Sequence, residues 1–436
     1  MNQARLDNFL RRVEDRSARV VLVGQGYVGL PVALRASEVG FPVVGFDTST
    51  ARVDSLRNAR SYVEDVSEES LEAALARGYS PSADPADAAA FDIAVITVPT
   101  PLREGVPDLT FIESAANMVA GALRAGALVV LESTTYPGTT AELVGPILER
   151  QSGLRVGTDF FLGYSPERID PGNPMWGLRN TPKVVSGIDH DSRRATEAFY
   201  GSLVDKVVPV GSTAEAELVK LLENTFRHVN IALVNELAMF ARDLGVDIWS
   251  AIDATSTKPF GYMRFTPGPG VGGHCLPIDP SYLAWSVEQR LGRPFRFVEL
   301  ANDVNSHMPD YVVSRVVEIL NGQSRSVRGS RILVVGLAYK AGTSDWRESP
   351  STRVIRELVR LGADVRVHDD HVPVEAFVAV EVPAAPCDAA ELAAADLVVL
   401  LVDHPDLPID EICSHASLVF DTKGALRDRE FPGEML

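Results

Sequence analysis

Arg19-Val20-Val21-Leu22-Val23, followed at once by Gly24-Gln25-Gly26-Tyr27-Val28-Gly29, decides how this 436-residue chain is read. The first five residues are short, apolar and rich in β-branched side chains, as a buried strand requires. Leu30 to Val39 can form a helix, and Phe41 to Phe46 reads as a second strand that ends at Asp47. Strand, GxGxxG, helix, strand, acid is the order a dinucleotide site needs. Gly24 allows the tight turn, Gly26 lets backbone approach a pyrophosphate, and Gly29 lets helix pack on strand. The helix N-terminus then faces the phosphates. Asp47, eighteen residues past Gly29, is placed to accept hydrogen bonds from a ribose diol. It would repel a 2′-phosphate, so NAD is expected rather than NADP, with Arg52 as the nearby charge of opposite sense.

Strand-like runs continue near 92–98, 127–132, 159–164, 182–187 and 206–210, alternating with helix-like runs. That alternation predicts an open, mostly parallel sheet. Thr213 to Leu244 lacks Gly and Pro and stops at Gly245. As one helix it would be about 48 Å long. Its apolar residues (Leu218, Leu221, Leu222, Phe226, Val229, Leu233, Leu237, Phe240) exceed one narrow stripe. A homodimer or higher homo-oligomer is therefore expected. Helices follow over 281–291 and 296–320, then a polar hinge from Asn321 to Arg328. Arg331 to Leu337 is a second strand-to-glycine start, with strands near 364–368 and 397–402. Gly336-Leu337-Ala338-Tyr339-Lys340 stands in place of GxGxxG, so this unit should bind something other than a dinucleotide pyrophosphate. The predicted fold is α/β, with two Rossmann-like doubly wound domains joined by a long central helix and a helical linker region. The expected divisions are 1–210, 211–325 and 326–436.

Composition narrows the partners. Lys and Arg number 41 against 59 Asp and Glu, a net charge of −18, which disfavours nucleic acid and anionic membranes. An anionic small substrate would need a local cluster of Lys and Arg. Cys275, Cys387 and Cys413 are too few and too odd for a disulfide framework, and fit a reducing cytoplasm. Met1 to Ala18 alternates charges, so no signal peptide is expected, and no apolar run approaches the roughly 20 residues of a spanning helix. No metal site is expected.

Cys275 lies in Pro267-Gly268-Pro269-Gly270-Val271-Gly272-Gly273-His274-Cys275-Leu276-Pro277-Ile278-Asp279-Pro280. Four glycines and two prolines in the eight residues before it cannot form a regular helix or strand. They can bring backbone close to a ligand and hold one side chain in place. A thiol there, with a carboxylate four residues on, reads as a nucleophile. The competing reading is a buried structural thiol beside a tight turn. Lys220 and Asn224 are four apart on the long helix, so both point from one face. Such a pair can also be a solvated helix face.

These segments, with Leu30-Pro31, Val98-Pro99-Thr100-Pro101, Glu132-Ser133-Thr134, Pro137-Gly138-Thr139-Thr140, Ser165-Pro166-Glu167-Arg168, Lys220 through Asn224, and Lys340 through Arg347-Glu348-Ser349-Pro350, resemble the UDP-glucose/GDP-mannose dehydrogenase family nearly end to end. The resemblance implies an NAD-dependent, two-step oxidation of a nucleotide-sugar C6 alcohol to a carboxylate. A Cys275 thiolate would capture the aldehyde as a thiohemiacetal, which loses a second hydride to become a thioester that water cleaves. By the same resemblance, Lys220 stabilises alkoxide-like oxygens, Asn224 donates to them, Thr134 and Asp279 hold or activate water, and Glu167 is the base. Gly24, Gly26, Tyr27, Val28, Gly29, Asp47, Arg52, Pro99, Thr100, Ser133, Thr134 and Arg347 form the implied cofactor set. Arg168, Lys258, Arg264, Lys340 and Lys423 are candidate cations for a diphosphate or sugar, alongside Glu167, Lys220, Asn224 and Gly272.

The family's glucose-type members carry a second Glu four residues after Glu167, where this chain has Pro171; Asp170 is adjacent. His274 and Ile278 beside Cys275 resemble the branch acting on UDP-N-acetylglucosamine or UDP-N-acetylmannosamine. The alternative is a UDP- or dTDP-glucose dehydrogenase. A two-electron hydroxyacid dehydrogenase would need no Cys275, and a non-catalytic NAD sensor would need none of the Lys220, Asn224, Cys275 and Asp279 set.

Overall fold

The computed structural model describes residues 3–103, 105–170, 173, 175–273, 276 and 278–436. Four-residue runs such as Val20–Val23, Ile93–Ile96 and Leu128–Leu131 are buried along their whole length. Strands covered on both faces favour β-branched and aliphatic residues without alternation, and these became the interior of a parallel sheet. In chain order the strands are β1 (Val20–Val23), β2 (Val43–Phe46), β3 (Ser80–Ser82), β4 (Ile93–Ile96), the short hairpin arms β5 (Leu102–Arg103) and β6 (Val106–Pro107), β7 (Leu128–Leu131), β8 (Phe161–Tyr164), β9 (Lys183–Gly187) and β10 (Val207–Pro209). Eight of them form one sheet in the order β10-β9-β8-β7-β4-β1-β2-β3. The stretch β3-β2-β1-β4-β7-β8 is parallel and has the doubly wound dinucleotide order. β9 turns back, pairing antiparallel with β8 through Gly163↔Gly187 and Tyr164↔Ser186.

By internal contact the chain forms two compact units, Met1–Glu223 with Ser281–Gly292, and Asn224–Pro280 with Arg293–Leu436. In the first, helix Gln3–Glu14 lays Leu6, Phe9 and Val13 on the sheet, and Phe9 meets Phe161 at 5.4 Å between ring centres. The division falls inside one continuous helix, Thr213–Asp243, which stops before Gly245 at φ +67°.

The second unit holds the remainder of that helix, helix Arg296–Gly322, and a sheet of β11 (Arg331–Val335), β12 (Asp364–His368), β13 (Leu397–Leu400), β14 (Val419–Asp421) and β15 (Gly433–Met435). Its order is β12-β11-β13-β14-β15, all parallel. The fold is thus two doubly wound α/β sheets with a long helix between them in the chain. Among the described residues no helix is long and apolar enough to cross a membrane.

Candidate functional site

The first turn of the first unit has the shape its sequence demands. Gly24 sits at φ +97°, and a Cβ there would lie 2.8 Å from the Thr97 carbonyl oxygen. A Cβ on Gly29 would lie 1.9 Å from the Gly24 carbonyl oxygen, so helix Gly29–Glu38 can start this close to β1 only with glycine. At Gly26 an added Cβ would meet nothing within 4 Å. The middle glycine thus leaves open space beside bare backbone, at a helix N-terminus, where a pyrophosphate fits. Tyr27 is exposed and Val28 half-buried beside it. The buried Asp47 carboxylate accepts from the Gln25 N–H and the Ser49 N–H, each at 2.9 Å, and the Arg52 guanidinium stands 3.6 Å away. Two bonds leave this carboxylate with acceptor capacity for a ribose diol.

Under this turn lies a network with no signal in the residue pattern. Gln25 is fully buried; its amide donates to the Leu22 and Gly24 carbonyls, and its side-chain oxygen accepts from the Tyr79 hydroxyl at 2.6 Å. A Cβ on Gly45 would lie 2.4 Å from that amide oxygen.

At the ends of β4 and β7, Pro99 is exposed, and Thr100 and Thr134 are half-buried. The Ser133 hydroxyl donates to the Val98 carbonyl at 2.7 Å, tying the two strand ends together. Glu217, fully buried on the long helix, accepts from the Gly138 N–H at 2.6 Å and from both donors of Thr140. Burial raises this carboxyl to about 7. Lys220, one helical turn on, is also buried.

Glu167 is buried with both oxygens engaged. One accepts from the Arg168 and Ile169 N–H groups, each at 2.7 Å, and the other accepts from Lys183 at 3.0 Å. Burial alone would raise its pKa. The Lys183 ammonium overrides that and, with the Ile169 N–H and the charge of Lys220, holds Glu167 below the usual range. Arg168 directs its guanidinium at Glu223 and at the Pro182 carbonyl, the latter at 2.6 Å. Asp170 is half-buried. Pro171 lies outside the described residues.

In the second unit, Asn224 donates to the buried Asp279 carboxylate. Cys275 and His274 lie outside the described residues, but the glycines before them do not. A Cβ on Gly272 would lie 2.6 Å from the Glu348 carbonyl oxygen and 2.9 Å from Pro350, and one on Gly273 would lie 2.7 Å from the Tyr339 ring. The Gly273 N–H donates to the Glu348 carbonyl at 3.2 Å. The run leading to Cys275 is therefore locked onto the Tyr339–Pro350 loop, which carries Lys340, half-buried, and Arg347, exposed and paired with Asp345 through two bonds of 2.9 Å. A methyl group added at Gly268 would lie 3.6 Å from the Lys423 ammonium, which also stands 3.7 Å from Asp403. Lys258 and Arg264 are exposed, the first over the Phe260 ring and the second paired with Asp253 at 2.8 Å.

Among the described residues, His371, His404 and Asp406 bring metal-ligand types within reach of one another. Their geometry suits protein partners better. The two rings are stacked at 4.1 Å and 6° apart. His371 Nε2 faces Asp406 at 2.9 Å, His404 Nε2 faces Asp369 at 3.1 Å, and His404 Nδ1 accepts from the Gly342 N–H.

Comparison with known proteins gives matches to three models of the UDP-glucose/GDP-mannose dehydrogenase family: its NAD-binding domain over residues 18–204, its central domain over 214–307 and its UDP-binding domain over 333–428. A UDP-N-acetyl-D-mannosamine dehydrogenase of Pyrococcus horikoshii is 34% identical over 89% of this chain and 90% of its own. A UDP-N-acetyl-D-glucosamine 6-dehydrogenase of Pseudomonas aeruginosa is 35% identical over 83% and 84%. Among solved structures, a UDP-D-ManNAc dehydrogenase of Pyrococcus horikoshii superposes with a TM-score of 0.86, covering 95% of this chain and 98% of that one at 32% identity.

Proposed function

The chain belongs to the UDP-glucose/GDP-mannose dehydrogenase family, with NAD-binding, central and UDP-binding parts in order, and from that premise we propose a four-electron oxidation of a UDP-N-acetylhexosamine at C6. One alcohol, two NAD and one water become one carboxylate, two NADH and three protons. NAD, when bound, accepts the hydride in each oxidation. Gly24, Gly26 and Gly29 shape the backbone that receives its pyrophosphate, Asp47 takes the ribose, and Pro99, Thr100, Ser133 and Thr134 flank the strand ends beyond.

The thiolate of Cys275 attacks the C6 aldehyde, forming a C–S bond and the thiohemiacetal. Loss of hydride gives the thioester, and water breaks the C–S bond and returns the thiolate. Lys220 and Asn224 donate to the C6 oxygen as it gains charge. Asp279 is the partner that aims the Asn224 amide. Thr134 and Glu167 hold the hydrolytic water. Lys340 and Lys423 take the diphosphate. The observation that carries this reading is the locking of Gly272 and Gly273 onto the Tyr339–Pro350 loop. Gly272 and Gly273, just before Cys275 in the chain, pack on the loop that carries Lys340, a candidate substrate cation, and this supports the reading. Residues 1–210 would bind NAD, 211–325 would carry Lys220, Asn224 and Cys275, and 326–436 would bind the nucleotide sugar.

The N-acetyl preference rests on His274 and Ile278 and on the relatives' substrates. A site that pairs with an acetamide leaves polar groups unsatisfied with glucose, at about 1–3 kcal/mol, or 10–150-fold. NADH released per sugar across UDP-N-acetylmannosamine, UDP-N-acetylglucosamine and UDP-glucose tests both parts. Two NADH with an acetamido sugar is expected. One NADH refutes the thioester route, and a tenfold win for UDP-glucose refutes the sugar assignment.

A homodimer completes the reading. Phe226, Leu233, Leu237 and Phe240 are exposed along one helix of the second unit, Leu244 is exposed just past its end, and Phe297 and Leu300 are exposed on another helix. Apolar surface of this extent supports a second copy as its cover. A monomer with full activity at micromolar concentration, by light scattering, overturns it. Three cysteines in the chain, with Cys387 and Cys413 free, support a reducing, cytoplasmic setting.

A further inference from the structure

In the first unit, Glu167 belongs to a buried charged cluster whose other members, Lys183, Glu132 and Tyr200, take no part in the steps above. Lys183, the first residue of β9, is 3% exposed and lies between two carboxylates. Glu132, just past the end of β7, is 1% exposed and bonded directly to the ammonium. Glu167 is on its other side at 3.0 Å. The far oxygen of Glu132 accepts from the fully buried Tyr200 hydroxyl at 2.6 Å. The four groups come from four separate segments, and none of these bonds caps a helix or pairs a strand. Apolar side chains of similar volume would fill the space without desolvating three charges. What they could not do is hold a neighbouring carboxylate in one charge state and one orientation.

Resting on the reading that Glu167 serves the hydrolytic water, we propose that Lys183, backed by Glu132 and Tyr200, is a positioning residue for the reaction: it keeps the Glu167 carboxylate ionised and fixes its direction. With Lys183 on one oxygen and two backbone N–H groups on the other, the carboxylate plane has one orientation. The groups facing Glu167 are Lys183 from β9, Glu132 from β7 behind it, Lys220 from the long helix, and the N–H groups of Arg168 and Ile169. The Arg168 guanidinium is held by Glu223. Burial raises the Glu132 carboxyl in spite of Lys183, and the nearby Glu167 adds to the rise. For Lys183 itself, burial would lower the pKa, but the two carboxylates raise it.

The test is the pH profile of kcat for acid formation, with whichever of UDP-N-acetylmannosamine, UDP-N-acetylglucosamine and UDP-glucose is turned over fastest. Lys183→Met removes the cation, so Glu167 binds a proton at higher pH. The acid limb should move up by about one pH unit or more, kcat should fall roughly tenfold or more, and the sugar KM should stay within about twofold. Lys183→Arg should restore most of the limb and of kcat. Glu132→Gln should move the limb the other way, because Lys183 then serves Glu167 alone; this variant decides the matter if Lys183→Met does not fold. Limbs that stay in place in the folded variants overturn the proposal. Glu167→Gln separates the two levels. If it is fully active, the role of Glu167 and this proposal both fall; if it is inactive while the limbs do not move, only the role of Lys183 falls.

Discussion

The two nucleotide-fold units begin alike and part within three residues. After β1, Gly24 has φ +97°; after β11, Gly336 has φ +101°. Neither has room for a side chain: a Cβ on Gly336 would lie 2.4 Å from that of Val402. In both, the acid that ends the second strand ties down the turn. Asp47 accepts from Gln25, and Asp369 accepts from the Leu337 and Ala338 N–H groups at 2.7 and 2.9 Å. Then the third position differs, an open Gly26 against a buried Ala338. The helix follows at Gly29 in the first unit and only at Pro350 in the second, leaving the loop that carries Lys340 and Arg347. Asp369 is also covered by His404. The acid at the second strand is thus a tie for the turn in either unit. A dinucleotide site needs two further features beside such an acid: bare backbone and a helix dipole that arrives at once.

The largest expected effect belongs to the residue that follows the Gly272-Gly273-His274 run in the chain. Cys275→Ala should cut acid formation by on the order of 10³-fold or more, leaving NAD binding by the first turn intact. Undiminished acid production, read by chromatography, would remove the covalent route. Next, Gly336→Ala and Gly24→Ala should each destabilise by roughly 3 kcal/mol or more, because strain at positive φ adds to overpacking. Urea unfolding checks this; a wild-type midpoint for either would break the likeness between the turns.

A smaller effect belongs to the second unit and sharpens the contrast with Asp47. Burial would raise the Asp369 carboxyl, but His404 and the Ala338 and Leu337 N–H groups hold it at about 2, against 3.8 ordinarily. A folded-state pKa below the unfolded one stabilises above the unfolded value and is lost as pH falls through the folded one. Roughly 2 kcal/mol should therefore disappear between about pH 4 and pH 2. Asp369→Asn should flatten that part of the stability curve, and an unchanged slope would show that the tie carries no charge-dependent stability.

The smallest effects separate shape from chemistry at the first turn. Gly26→Ala should leave the melting temperature in place yet raise the KM for NAD by about tenfold, whereas Ala338→Gly should leave that KM alone. Asp47→Ala should narrow the preference for NAD over NADP by about tenfold, the loss of one charge-assisted interaction. Equal wild-type use of both cofactors would show that Asp47 does not meet the ribose.

Strands built from continuous apolar runs were legible to within a residue or two, as Val20–Val23 and Leu397–Leu400 attest. Ser80–Ser82 was not: Ser-Pro-Ser reads as a turn, and it is a strand only because it extends the sheet edge beside β2. Val419–Asp421 and Gly433–Met435 are similarly short and depend on their neighbours. The reversal of β9 had no signal either, since strand direction is set by pairing across the sheet.

By itself the sequence determined what depends on near neighbours along the chain. The glycine turns, the acid at the second strand, the uninterrupted helix from Thr213 and the thiol-bearing loop all follow from local sterics and hydrogen-bonding rules that act within a few residues. Tertiary structure alone decided which distant groups share a buried space. It set Lys183 between Glu132 and Glu167, the Gln25 amide against Tyr79, the Asn224 amide on Asp279, and His404 over Asp369. Charge and hydrogen-bond energies depend on separation in space and on the exclusion of water. Neither quantity is written in the spacing of residues along a chain.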